Sequence, residues 1–174
     1  MPRRITRQLN VPRQGFTLIE LLVVMMIIAI AFFAVRPVFA GVITSWQERN
    51  AVRQLVSLFV AARTEAVASG KLIRVAYDPA SVSFYAEVQS RPEEDRQLFE
   101  ALPLMGHSEV PLPDSLAIDT MEVGGLYVAA AQMPTVYFYP DGRTDGAAIV
   151  LLKASGRTVS LEIAPATGRV RLSA

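Results

Sequence analysis

Residues 15–35 read GFTLIELLVVMMIIAIAFFAV, and from Phe16 to Val35 the only polar side chains are Thr17 and Glu20. At about 1.5 Å of rise per residue, a helix of this length covers roughly 30 Å, the thickness of a bilayer's hydrocarbon core. Arg3, Arg4, Arg7 and Arg13 precede the run, and no acid does. Basic residues ahead of a span orient its N-terminus toward the cytoplasm. Of the 17 basic residues, 17 − 4 = 13 remain from Phe16 onward against all 16 acids, so this part carries about −3 in a chain of net +1. That balance argues against a general polyanion binder, though not against a local basic patch. Cysteine is absent, which excludes disulfides and thiolate metal sites.

A basic stretch followed by an apolar run admits three readings. A cleaved secretory signal would use the small-residue site Val38-Phe39-Ala40 before Gly41, but the run exceeds the usual signal core and Arg36-Pro37 interrupts the approach. A plain signal anchor explains the length and leaves Glu20 unexplained. An unpartnered carboxylate inside a span costs about 2.5–3.5 kcal/mol or more. The third reading accounts for both features.

Gly15-Phe16-Thr17-Leu18-Ile19-Glu20 resembles the type IV prepilin signature. The resemblance implies cleavage after Gly15, N-methylation of Phe16 as the mature N-terminus, and an assembly role for Glu20 as the fifth mature residue. Its carboxylate would pair with the amine of a neighbouring subunit. Pro37 stands where such pilins commonly carry a helix-bending proline. The expected segments are a leader over 1–15, a transmembrane and filament-core helix over 16–36, its amphipathic continuation over 37–70, and a periplasmic β-rich head over 71–174.

Beyond Pro37, Val52, Leu55, Val56, Phe59, Ala62 and Ala66 recur at helical spacing. Glu48, Arg49, Arg53, Arg63 and Glu65 mostly fall off that stripe, and Ser69-Gly70 ends it. Strand patterns follow over 72–78 and 83–88, around the turn Asp78-Pro79-Ala80-Ser81. Residues 90–107 read as a loop with a short helical piece, and Pro111 and Pro113 keep the next stretch irregular. Further strands are expected over 116–119, 126–129, 135–139, 147–153, 157–163 and 169–172. The fold class is α+β: a long N-terminal helix on a small antiparallel, β-sandwich-like head.

Phe138-Tyr139-Pro140-Asp141-Gly142-Arg143, Ala148-Ile149-Val150-Leu151, Gly156-Arg157 and Gly168-Arg169-Val170-Arg171-Leu172 are similar to the C-terminal half of the GspH/FimT group of minor pilins. The resemblance implies a structural subunit of a type II secretion pseudopilus, in the bacterial inner membrane with a periplasmic head. Its implied partners are other major and minor pseudopilins, the prepilin peptidase/N-methyltransferase, the inner-membrane assembly platform and membrane lipid. The alternative is a FimT-like minor pilin that takes up DNA. Residues two apart on a strand share a face, so Arg169 and Arg171 would present two guanidinium groups together, with Arg143 and Arg157 in the same region. The competing reading is a solvated final strand whose arginines keep a sheet edge soluble.

No catalytic constellation is present. His107 is the only histidine, so neither a triad nor a zinc cage has its parts. Asp141, Asp145 and Glu93-Glu94-Asp95 carry oxygen ligands, yet no calcium-loop spacing. The expectation is no enzyme, no metal and no cofactor.

Overall fold

The computed structural model describes residues 15–91, 93, 97–104 and 109–173, with side chains described outside 33–42. His107, Glu94, Asp95 and nearly all of the expected leader lie outside the described residues. The chain divides into two units, Met1–Val42 and Ile43–Ala174. One helix, α1 (Leu18–Ser69), has its first part in one unit and its second part in the other.

In the first unit, residues 15–17 are non-helical and α1 begins at Leu18. Thr17 caps it, its Oγ1 accepting the Glu20 N–H at 3.3 Å. Such a cap satisfies one of the four amide donors that a helix start leaves unpaired. Leu18 through Phe32 are all exposed. Among the described residues no helix is long and apolar enough to cross a membrane. The backbone is helical through Pro37.

In the second unit, α1 lays one stripe on the head. Ala51, Val52, Leu55, Leu58, Phe59, Ala62 and Ala66 are all buried. Burying each large apolar side chain contributes about 1.5–3 kcal/mol. Glu48 continues the stripe and is 6% exposed, so it belongs to the packed face. Gly70, at φ +66°, stops the helix in a conformation that other residues adopt only with strain.

One sheet has the order β3-β2-β1-β7, built from β1 (Ile73–Asp78), β2 (Ser83–Gln89), β3 (Phe99–Ala101) and β7 (Thr135–Phe138). β4 (Glu109–Pro111) also pairs with β2. The other sheet has the order β10-β9-β8-β5-β6, from β5 (Leu116–Val123), β6 (Leu126–Tyr127), β8 (Ala147–Lys153), β9 (Thr158–Ile163) and β10 (Val170–Ser173). Every pairing is antiparallel. Phe59 meets Phe84 and Phe138 at centroid distances of 6.1 and 6.2 Å, seating the helix on the first sheet. Met121, Ile149, Leu151, Leu161 and Ile163 of the second sheet join the same core.

Three local expectations are corrected. Residues 90–107 hold strand β3 rather than a helical piece among the described residues. Phe99 is drawn there by cross-sheet partners, with the Arg74 guanidinium 3.9 Å above its ring and Tyr137 at 6.2 Å. The proline-bordered stretch forms β4, whose Glu109 accepts a hydrogen bond from the Ser83 hydroxyl at 3.0 Å. The strand expected over 126–129 stops at Tyr127, ahead of a 3-10 turn at Ala130–Gln132.

Candidate functional site

Two regions hold most of the residues that the sequence singles out. At the N-terminal one, Gly15, Phe16, Thr17 and Glu20 line a single open recess. The Gly15–Phe16 peptide precedes the first helical residue, Leu18. Glu20 sits in the first turn of α1, where a negative charge is favourable beside the unpaired amides. It is exposed, and among the described residues no cation pairs with it.

The second region is the end of the head where the β7–β8 and β9–β10 turns meet α1. The Thr144 N–H donates to the Pro165 carbonyl at 3.0 Å and ties the two turns together. Arg143 is committed to its own turn: its Nε lies 2.6 Å from Asp141 Oδ2, and its N–H donates to Oδ1 at 3.0 Å. Those two donors, the backbone N–H first, hold the Asp141 carboxyl below its ordinary value. Asp145 accepts from the Tyr139 hydroxyl at 3.0 Å, and burial followed by that bond raises the Tyr139 pKa.

The four arginines do not form one patch. Arg169 is exposed just before β10, at the same end as Arg143. Arg171 stands opposite Glu162 in the β9–β10 ladder, where an opposite charge offsets it. Arg157 lies in the β8–β9 hairpin at the far end of β8. The seven residues of β8 separate it from the Arg143 turn by about 20 Å. Among the described residues no group of three or more acidic or histidine side chains could hold a metal ion.

One residue at this end escaped the sequence reading. Arg63, on α1, reaches under both turns, and its Nε is buried without a hydrogen-bond partner. A Cβ at Gly168 would stand 2.6 Å from Arg63 Cδ and 2.9 Å from Nε, while one at Gly142 would stand 3.4 Å from Nη2. Both glycines have positive φ. Their role is thus to let two turns close over an arginine far away in sequence.

Comparisons with known proteins agree with this architecture. Residues 12–35 match the prokaryotic N-terminal methylation motif, and residues 51–168 match the family described as type II transport protein GspH. The chain is similar in structure to the minor pseudopilin EpsH from the type 2 secretion system of Vibrio cholerae, with a TM-score of 0.56 and 14% identity over 74% of this chain and 97% of that one. A crystal structure of EpsH gives a TM-score of 0.57 and 13% identity over 76% and 96%. The solution structure of Escherichia coli GspH gives 0.51 and 14% over 73% and 87%. A comparison with the curated proteins found no match.

Proposed function

The chain belongs to the GspH family of type II transport proteins, and we propose that it acts there as a minor pseudopilin, a structural subunit that helps to initiate or cap the periplasmic pseudopilus. The observation that carries this reading is the coincidence in one chain of the methylation motif at 12–35 with the GspH domain at 51–168. A head of this family alone would be a periplasmic domain; joined to that motif it becomes a filament subunit.

Each part then has a task. The prepilin peptidase cuts the Gly15–Phe16 bond and methylates the new amine. The apolar helix over 16–36 holds the subunit in the inner membrane until assembly, then packs among the helices of other pseudopilins. Glu20 pairs with the amine of a neighbour; its exposure and its lack of a described partner support this. Pro37, lacking an N–H, lets the helix bend between anchor and head. The head meets neighbouring minor pseudopilins and the assembly machinery.

Intact mass and N-terminal sequencing of the membrane-extracted protein test the pathway. A chain beginning at methylated Phe16, seen only when the prepilin peptidase is present, is the expected result. A chain beginning at Gly41 would make this a conventionally secreted domain and remove the roles of Phe16 and Glu20.

A further inference from the structure

The membrane-proximal stretch of α1 in the head unit has two opposed faces. Glu48, Ala51, Val52 and Leu55 turn inward and are buried. Ile43, Trp46, Arg49 and Arg53 are exposed, Ile43 by 54% and Trp46 by 68%. Trp46, Arg49 and Arg53 follow one another at i, i+3 and i+7, the spacing of one helical stripe. Trp46 is the only tryptophan of the chain. Neither arginine makes an ion pair with another described residue.

For a soluble surface this is an odd face. A large apolar indole stays in water beside two cations that have no ion-pair partner among the described residues, although Glu48 lies one residue from Arg49 on the opposite face. Indole and guanidinium together suit the boundary of a bilayer, where tryptophan rings settle at headgroup level and arginines meet lipid phosphates. The chain delivers the face to such a boundary. Between Glu20 and Glu48 the only charged residue is Arg36, and Trp46 follows it by ten residues in sequence. Pro37 and Gly41 fall in that interval, and each weakens a helix's resistance to bending.

We propose that Ile43, Trp46, Arg49 and Arg53 form a lipid-contact face, resting on the anionic headgroups of the outer leaflet while the subunit waits in the membrane. This inference rests on the membrane-anchored reading above. Withdrawal of the subunit into the filament would then break this contact as well as extract the apolar helix. The competing occupant of the face is a neighbouring subunit, which would cover it only after assembly.

The sole tryptophan makes the test direct. Full-length chain is reconstituted in vesicles of phosphatidylcholine with or without phosphatidylglycerol, and resistance to carbonate extraction is scored separately as the measure of anchoring. The expected result is blue-shifted Trp46 emission, quenched more by lipids brominated near the headgroup than by those brominated at the chain end. Phosphatidylglycerol should strengthen the quenching, and high salt should weaken it. Arg49→Gln and Arg53→Gln should each reduce the preference for anionic vesicles by about fivefold, the effect of one basic residue near such a surface.

Extraction-resistant chain with solvent-like, unquenched Trp46 would overturn the lipid face while leaving the anchor intact. Shielding that appears only in assembled filaments would overturn it in favour of a neighbouring subunit. Chain released by carbonate would sink the anchoring reading first, and this inference with it.

Discussion

Arg63 shows how one side chain can dictate residue types far away in sequence. Gly168 has φ +60°, and its missing Cβ leaves room for the Arg63 stem. Gly168→Ala should therefore cost stability twice, through left-handed strain and through displacement of Arg63, together about 2–3 kcal/mol in urea unfolding. Gly156 offers the control: its φ is +78°, and nothing lies within 4 Å of its absent Cβ. Gly156→Ala should cost only the strain, about 1 kcal/mol. Equal losses at the two sites would remove the packing role given to Arg63. Two aspartates carry a pH signature at the same scale. Asp78 accepts from the Ala80 N–H and the Ser81 hydroxyl, which lowers its pKa, and Asp141 is lowered by the donors of Arg143. A depressed folded pKa means that the turns hold their full stability above the unfolded value near 3.8 and lose it as pH falls through the lower folded values. Carboxyl titration by NMR should place both midpoints below 3.8. Midpoints at or above that value would contradict the hydrogen bonding described.

At the scale of elements, β3 is a three-residue strand held by side chains as much as by its ladder. Arg74 reaches Glu87 at 2.6 Å and lies over the Phe99 ring at 3.9 Å. Its burial disfavours the charge, yet the hydrogen bonds it donates to Glu87 and Tyr137, with their charge interactions, outweigh that and raise its pKa. The pair is partly exposed, with side-chain accessibilities of 28% and 18%, so its worth is discounted toward the value of a surface ion pair. Adding the cation–ring contact, Arg74→Ala should destabilise the head by about 1–2 kcal/mol. Hydrogen exchange should quicken first at the β3 amides, because β3 is an edge strand. Uniform acceleration across the sheet would show instead that β3 is bound to the global fold.

For the whole molecule, the division of labour is between a helix start that presents charge and a head that presents shape. If the chain is processed as proposed, Glu20→Ala should leave cleavage after Gly15 intact, since that peptide lies outside the helix, yet impair incorporation into filaments. Pull-down of neighbouring pseudopilins and shearing of assembled filaments would measure the two effects separately. Unchanged incorporation would count against a pairing role for Glu20. The head gives no comparable single point of attack, because its core is shared by helix and both sheets.

The local grammar of the chain was readable without tertiary structure. Glycine at 70, the apolar spacing from Val52 to Ala66 and the continuous apolar run of strands such as Ala147–Lys153 each follow from short-range sterics and burial, which act within a few residues. The apolar run from Phe16 and the acid within it are visible in the residues alone, and their membrane role is the proposal made above. What required the folded chain was every relation between distant segments. Phe99 became a strand residue because Arg74 and Tyr137 met it across the sheet. Glu48 joined the packed stripe because the head extends that far along α1. The arginines at 143 and 157 proved to stand at opposite ends of a sheet, since antiparallel strands carry neighbours in sequence apart. Gly142 and Gly168 look like ordinary turn residues until Arg63 is placed beneath them. Sequence thus determined the stop of the long helix and its apolar face, while contact across long separations decided the short strands β3 and β4 and which charges meet.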